Sequence, residues 1–353
     1  MAVDVNRKFY RDLKINKKIL LTGGAGYIGS HTVIALRAAG FEPLVLDNFS
    51  NSHPEVLVRL EKITGAPLQW VRGNVANQSL VADLIREHQV QAVIHLAAFK
   101  AVGESVEQPL RYFENNVGGL LGLLGAMAKT ECRFIVFSSS ATVYGNPKSM
   151  PVTEDMPTSY ANPYGHTKLI CEQILQSLSA TDNCWKTAVL RYFNPVGAHE
   201  SGEIGEDPVG IPNNLMPLVA QVAVGRRDKV YVYGGDYPTP DGTGVRDYIH
   251  VMDLAEGHVA SLRHLLKCDS HLVNLGTGMG YSVLDLISSY SRACGTLIPY
   301  EIIGRRAGDV ASVYADPSKA KILLGWHAKR DLQCMCESSW YWQSKYPYGF
   351  ISA

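Results

Sequence analysis

The sequence predicts an α/β protein: an open, doubly wound parallel sheet with a smaller α/β lobe toward the C-terminus. Three observations carry that expectation. Short apolar strands alternate with longer amphipathic segments through the first half. A glycine-rich turn follows the first strand and opens a helix. The second half loses this regularity and is interrupted by long Gly-, Pro- and Asp-rich runs.

Taken in order, Ile19–Thr22, Glu42–Leu46, Leu68–Val71, Ala92–His95 and Phe134–Phe137 read as strands, being short and largely apolar. Ile28–Ala39, Ser79–Glu87 and Val117–Lys129 read as the helices between them. Strands apolar on both faces need cover on both faces, which a parallel sheet with helices on each side supplies. Ala188–Tyr192 is expected to add a further strand to this sheet, so the boundary with the second lobe is interleaved. The runs Asn194–Pro212 and Gly234–Gly244 read as long connections of that lobe, placed to reach over a ligand.

Composition narrows the function. With 46% hydrophobic residues the chain can bury a sizeable core. Lys plus Arg and Asp plus Glu both number 33, and this balance leaves no basic footprint for nucleic acid. No apolar run approaches a bilayer span, so no membrane partner is expected. The 7 cysteines are scattered, and Cys334 and Cys336 lack a second Cys or His pair. Reduced, buried thiols in a reducing cytoplasm are therefore expected, with no metal. Arg7, Lys8, Arg11, Lys14, Lys17 and Lys18 precede only a short apolar run, so residues 1–17 read as a disordered leader and not a signal peptide.

The strongest early motif is Thr22-Gly23-Gly24-Ala25-Gly26-Tyr27-Ile28-Gly29. Gly23 and Gly26 let the chain turn sharply and let a pyrophosphate approach the backbone, while Gly29 permits close packing of helix on sheet. The helix start then presents N–H groups to an anion. Asp47 ends the next strand, where a carboxylate accepts from ribose hydroxyls and repels a 2′-phosphate, which selects NAD over NADP. This is the Rossmann-type pattern, and residues 18–193 are expected to form mainly that NAD-binding unit, with 194–353 mainly the second lobe. Asn74 and Val75 follow the third strand; they hold the adenine edge or simply make a turn.

Tyr164 and Lys168 stand four apart, on one helix face. A free tyrosine titrates near ~10, so as a base it needs help, which the Lys168 ammonium and the positive nicotinamide ring would both give. Ser138-Ser139-Ser140-Ala141-Thr142 follows the Phe134–Phe137 strand, at the carboxyl edge of the sheet. Ser140 can there bridge a substrate hydroxyl and Tyr164, although a serine run also reads as a plain turn.

The order of glycine turn, Asp47, Ser140 and Tyr164/Lys168 resembles the extended short-chain dehydrogenase/reductase family, and the finer resemblance is to its UDP-glucose 4-epimerase branch. Lys100-Ala101-Val102-Gly103-Glu104-Ser105, Arg191-Tyr192-Phe193-Asn194-Pro195, Pro212-Asn213-Asn214-Leu215-Met216-Pro217 and Arg246-Asp247-Tyr248-Ile249-His250 carry it from about Lys18 to the end of the chain. The resemblance implies Lys100, Asn115 and Phe193 along NAD. The cofactor set it suggests also takes in Tyr27, Ile28, Asn48, Asn51, Ser52, Leu96, Ala97 and Ala98, besides Tyr164 and Lys168. It implies that Asn194, Asn214, Leu215, Tyr233, Arg246, Arg306 and Asp309 hold a UDP sugar. Lys100, Ser140, Ala141, Thr142, Tyr164, Tyr192, Tyr231, Tyr248 and Val313 complete that substrate set. The guanidinium groups suit a diphosphate. Asn74 stands where relatives commonly carry Asp. Val313 stands where narrower-specificity relatives carry a bulky aromatic, which leaves room for an N-acetyl group. Relatives pair through two long helices, here near Val106–Lys129 and Tyr164–Ser179, so a homodimer is expected.

The activity this implies is interconversion of UDP-glucose and UDP-galactose, with UDP-N-acetylhexosamines as further substrates, through a 4-keto sugar. The alternatives are a sugar-nucleotide 4,6-dehydratase, a UDP-glucuronate decarboxylase, a simple dehydrogenase and a non-catalytic NAD-binding regulator. Dehydratase relatives place Asp-Glu after the Ser position, where this chain has Ala141-Thr142. A regulator would have lost Tyr164, Lys168 or Ser140. His95, His166 and the Trp340-Tyr341-Trp342 cluster read as structural.

Overall fold

A computed structural model describes residues 17–210, 212–306 and 308–350; residues 1–16 of the expected leader lie outside it. Strands β1 (Lys18–Thr22), β2 (Glu42–Asp47), β3 (Gln69–Arg72), β4 (Ala92–His95), β5 (Phe134–Ser140) and β6 (Lys186–Tyr192) come first along the chain. Helices α1 (Tyr27–Ala38), α2 (Glu55–Thr64), α3 (Gln78–Glu87), α4 (Val102–Glu107), α5 (Pro109–Tyr112), α6 (Gly119–Ala128) and α7 (Pro163–Thr181) lie between them. Further on come β7 (Asn194–Val196), α8 (Leu215–Ala223), β8 (Val230–Tyr233), β9 (Val245–Arg246), β10 (Tyr248–His250), α9 (Val251–Leu265) and β11 (His271–Leu275). The chain ends with β12 (Tyr281–Ser282), α10 (Val283–Cys294), β13 (Tyr300–Ile303), β14 (Ser312–Val313), α11 (Ser318–Leu324) and α12 (Leu332–Lys345).

Seven strands make the main sheet, in the order β11-β6-β5-β4-β1-β2-β3, and all neighbours pair parallel. Alternation along each strand sends neighbouring side chains to opposite faces. Ile19 and Leu21 of β1 join Val45, Ile94 and Val136 under α1 and α9, through Val33, Leu36, Leu254 and Leu262. Leu20 joins Leu44, Val93, Ile135 and Phe137 under α3, α6 and α7, through Val81, Leu123 and Leu175. A third apolar core, with Met216, Val219, Val232, Leu286, Tyr290 and Met335, holds α8, α10 and α12 on the β8–β13 pair. There Trp340 packs at the edge, while Trp342 is buried in the core of the main unit.

The structure extends and corrects the sequence reading in four places. β11 was missed: it returns from α9 to pair with β6, and its Val273, Asn274 and Leu275 are buried. β5 does not stop at Phe137, because Ser138, Ser139 and Ser140 continue in register with Leu190, Arg191 and Tyr192 of β6. The serine run is thus strand and not turn. The expected helix Val117–Lys129 begins as a π-helical segment, Phe113–Gly118, before α6. All seven cysteines are free, but Cys184 and Cys268 are exposed, since they sit in the connections before β6 and after α9. Among the described residues, no helix is long and apolar enough to cross a membrane.

Candidate active site

Parallel strands deliver their carboxyl ends to one edge, and every motif singled out above arrives there. After β1 the chain enters α1 through Gly23, which has φ +74°. A Cβ at Gly23 would stand 2.8 Å from the Ala97 nitrogen, and one at Gly29 would stand 2.2 Å from the Gly23 carbonyl oxygen. Both glycines are therefore required by close backbone approach. Gly26 caps the 12-residue helix α1, and among the described residues no side-chain hydrogen bond caps its first turn. Asp47 is buried at the end of β2; its carboxylate accepts from Ala25 N–H at 3.0 Å, Phe49 N–H at 2.8 Å and the Ser52 hydroxyl at 2.9 Å.

A cleft opens over this edge. Gly23, Gly26, Tyr27, Ile28, Gly29, Asp47, Asn48, Asn51, Ser52, Asn74, Val75, Leu96, Ala97, Ala98, Lys100 and Asn115 all line it. The set fits a dinucleotide: a helix N-terminus without a side-chain cap for a pyrophosphate, a cradle that a Cβ would fill, and a carboxylate at the end of the next strand for a ribose. Asn74 takes the turn reading, since its side chain accepts from Ala76 N–H at 2.9 Å. Asn115 projects from the π-helical segment, and its side chain donates to the Asn116 side-chain oxygen at 2.9 Å. Buried Asn116 in turn ties Phe99 N–H and carbonyl to Thr167 of α7.

A second cleft continues from the first, sharing Ile28, Leu96, Ala98, Lys100 and Ser138 as walls. Ser140, Ala141, Thr142, Tyr164, Lys168, Tyr192, Phe193, Asn194, Asn214, Leu215, Tyr231, Tyr233, Arg246, Tyr248, Arg306 and Asp309 line it. Residues spread over more than 160 positions of chain thus converge on one surface.

Burial dominates the electrostatics of the centre. Lys168 is buried and donates to the Ser138 carbonyl at 2.7 Å; its Nζ stands 6.0 Å from the centre of the Tyr164 ring. Burial lowers its pKa to about 8, while Cys171 and Glu172 pull it back up. Tyr164 is pushed up to about 12 by burial, with the Ser140 hydroxyl acting in the opposite direction. In the ligand-free protein Tyr164 is a neutral phenol, and Lys168 alone does not make it a base. The Ser140 oxygen accepts from Thr142 N–H at 3.2 Å and from the Thr142 hydroxyl at 3.0 Å, which aims it along the cleft wall.

One expected substrate residue stands outside the cleft lining, and two that line it turn most of their surface inward. Val313 does not line the cleft: it packs behind it, against the cluster of Val143, Tyr144, Val152, Phe193 and Ala315. β14 lies beside β9 with Val313 opposite Arg246, and Arg246 is the one of the pair that lines the cleft. Tyr192 reaches the cleft, but its hydroxyl is paired with the buried His258 nitrogen at 2.7 Å. Tyr248 is almost wholly buried in the core of the smaller lobe.

The family model described as GDP-mannose 4,6 dehydratase matches residues 20–339. A UDP-glucose 4-epimerase of Bacillus subtilis is 55% identical over 336 residues, covering 95% of this chain and 99% of that protein. One from Mus musculus is 51% identical over 342 residues, covering 95% and 99%. The chain belongs to the UDP-glucose 4-epimerase family. The crystal structure of a Bifidobacterium longum UDP-glucose 4-epimerase in complex with NAD+ and UDP superposes with a TM-score of 0.91 at 52% identity, covering 94% of this chain and 99% of that one. A Stenotrophomonas maltophila family member with bound NAD and formylated UDP-arabinopyranose gives 0.92 at 49% identity, covering 93% and 98%.

Sequence reasoning missed several residues that shape this UDP-glucose 4-epimerase family cleft. Glu172, one helical turn after Lys168, accepts from Arg191 at 3.0 and 2.6 Å and from the Ser139 hydroxyl, all of them buried. Glu206 accepts from Lys100 at 2.9 Å and from the Asn214 amide at 2.8 Å, so it links the two clefts. Asp247 is fully buried; it accepts from Thr277 N–H and hydroxyl, Gly278 N–H and Ala315 N–H. Arg191 and Asp247 stood within the quoted motifs, but only their burial tells them apart from ligand-binding neighbours. His95 bonds Thr22 at 2.7 Å and stacks on Phe137, and His166 stacks on Tyr160. Both are structural.

Proposed function

We propose that the protein inverts the C4 hydroxyl of a UDP-hexose, interconverting UDP-glucose and UDP-galactose through a 4-keto sugar, with NAD held in the first cleft. The observation that carries this is the meeting of Ser140, Tyr164 and Lys168 at the point where the dinucleotide cleft opens into the second cleft. NAD, when bound, would supply a reversible acceptor for the C4 hydride and a positive charge that favours the Tyr164 phenolate. Tyr164 takes the C4 hydroxyl proton and later returns it, with Ser140 in the hydrogen-bond path. Lys168, fixed by the Ser138 carbonyl, stabilises the tyrosinate electrostatically. Arg246 and Arg306 hold the diphosphate, and Asn194, Asn214, Leu215, Tyr231 and Tyr233 complete the wall around the nucleotide and sugar. Binding energy from UDP anchors the substrate while the sugar turns to present its other face.

Among the described residues of the second cleft the only carboxylate is Asp309, which is paired with Arg306 at 2.9 Å. No acid stands free there to remove a C5 proton, which disfavours a 4,6-dehydratase although the family model bears that name. UDP-N-acetylhexosamines are further substrates in this reading. Val313 acts on the sugar wall through Phe193 and Ala141, against which its cluster packs. Residues 18–193 serve mainly the cofactor and 194–353 mainly the substrate, interleaved through β11. We also propose a cytoplasmic homodimer, with the free cysteines suited to a reducing compartment and the exposed Val106, Leu110 and Leu121 suited to a partner subunit.

The test is incubation of purified protein with UDP-galactose and with UDP-N-acetylgalactosamine, without added NAD, and chromatographic separation of the C4 epimers. Conversion of both is expected. Failure to convert UDP-galactose even after NAD is added would refute the reading.

A further inference from the structure

A segment from the second half of the chain crosses the first cleft. Gly205, Glu206, Asp207 and Pro208 line that cleft together with the glycine turn. Glu206 accepts from Lys100, in the connection after β4, at 2.9 Å. Three residues on, the Val209 N–H donates to the Asn51 side chain, in the connection after β2, at 3.0 Å. Between these ties Asp207 stands 3.7 Å from His53, which also follows β2. The sheet order is β4-β1-β2, so the ties straddle β1 and the turn that leaves it. The reach agrees: three residues of chain extend about 10 Å at most, and two strand spacings also come to about 10 Å.

The segment is fixed at its start and held only by side chains further on. Ile204 is fully buried in the main core, and a Cβ at Gly205 would stand 2.3 Å from the Trp342 ring. Just before them, the Glu203 carbonyl accepts from Arg59 at 3.0 Å, and its carboxylate accepts from Lys62 at 3.1 Å and Tyr346 at 2.9 Å. Beyond Gly205, among the described residues, no backbone-to-backbone hydrogen bond holds residues 206–209. Asp207 accepts from the Phe350 N–H at 2.8 Å, and Asn51 takes the Val209 N–H. Glu206 makes two bonds, from Lys100 and from the Asn214 amide at 2.8 Å, with its side chain only 9% exposed. A stretch without a backbone ladder opens locally at low cost, and here that cost is set by these few ties.

We propose that residues 205–209 are a strap that must open for NAD to enter or leave the first cleft, with Glu206 as its latch. This rests on the reading of the first cleft as the NAD site. The ties are already made in the ligand-free protein. Opening therefore precedes entry as well as exit, and its cost slows both by the same factor. Cutting the latch speeds both, and the equilibrium affinity for NAD stays where it was. A residue that merely bonded the cofactor would behave differently, since its loss raises the exit rate and the Kd together.

Glu206→Ala removes the latch, and the Lys100 side chain, 40% exposed, returns to water. Glu206→Gln keeps an acceptor for Asn214 and loses only the ion pair with Lys100. The experiment loads the purified wild type and both variants with radiolabelled NAD, dilutes them into excess unlabelled NAD and follows the label left on the protein. Equilibrium dialysis against labelled NAD gives the Kd of each. The expected result is exchange about tenfold faster in Glu206→Ala and about threefold faster in Glu206→Gln, with each Kd within about twofold of the wild type. An unchanged exchange rate overturns the proposal, and so does a Kd that rises as far as the exchange rate. If Glu206→Ala does not fold, Glu206→Gln decides by the same criteria. A wild-type protein that takes up no NAD would refute the reading of the first cleft, and the strap with it. Unchanged exchange in variants that hold NAD counts against the strap alone.

Discussion

The two clefts are built by different rules. The first is made by one edge of one sheet: a continuous turn from Thr22 to Gly29, the ends of β2 and β4, and the residues just past β3. Its shape follows from backbone, since two glycines and an uncapped helix start do most of the construction. The second is assembled from short pieces: the ends of β5 and β6, the start of α8, β8, β9 and the segment around Arg306. None of these pieces holds itself in place. Buried polar groups behind the surface do so, chiefly Asp247, Glu172 with Arg191, and Glu206. A site made by backbone resists side-chain change and fails on added volume. A site made by buried polar ties fails when one tie is cut.

Gly29→Ala attacks the first rule and carries the largest expected effect. Its Cβ meets the Gly23 carbonyl oxygen at 2.2 Å, and a backbone atom cannot step aside cheaply. The turn must open, at a cost of about 3 kcal/mol of stability in denaturant unfolding. The purified variant should lack NAD by absorbance and by release on heating, yet still bind UDP. Asp247→Asn attacks the second. The new amide turns donors toward backbone N–H groups that had bonded one carboxylate oxygen, at a cost of about 2 kcal/mol. Here NAD should be retained and UDP affinity lost. If Gly29→Ala lost UDP affinity as much as NAD, or Asp247→Asn released NAD, the division into two kinds of site would be wrong.

This difference also explains what was legible in the sequence. The glycine turn, Asp47 and the Tyr164/Lys168 spacing are local signals, and the strand–helix alternation is enough to place them on a sheet edge. β11 was not legible, because His271–Leu275 is short, opens on a histidine and carries Asn274 one residue before its end. Asn274 is there for a buried bond with Tyr144 at 2.6 Å and not for strand propensity. Glu172, Glu206 and Asp247 were not recognisable either. A carboxylate reads as surface until its partners, which lie 8 to 106 positions away for Glu206, are known to meet it. The resemblance supplied most of the second cleft, and the packing of Val313 against Phe193 and Ala315 could not be read from a motif.

The junction of the clefts gives a pH prediction. Lys168 acts as a cation, and burial lowers its pKa to about 8. It is charged below that value and loses its charge above it, so activity should fall on the alkaline side of about pH 8, by roughly tenfold per unit. Lys168→Arg keeps a charge to much higher pH. The expected outcome is a lower plateau for the variant, from the altered geometry, with its alkaline decline moved upward. A decline at the same pH in both proteins would assign the limb to another group.

The smallest effect tests Tyr192, which contributes a wall to the cleft but points its hydroxyl elsewhere. That hydroxyl pairs with the buried His258, whose other ring nitrogen faces the Leu254 carbonyl at 2.9 Å. Burial lowers the His258 pKa to about 4, so the imidazole is neutral and carries one proton between two partners. With its Nδ1 proton given to the Leu254 carbonyl, Nε2 accepts from Tyr192, and the phenol ties β6 to α9 beneath the site. Tyr192→Phe should then cost about 1 kcal/mol in denaturant unfolding and leave His258 Nε2 without a donor. Because the ring stays, KM for UDP-galactose should move by less than about twofold. A KM rise of tenfold or more at unchanged stability would mean that the hydroxyl turns to the sugar when substrate enters, and the second cleft would then be reshaped by its ligand in a way the first is not.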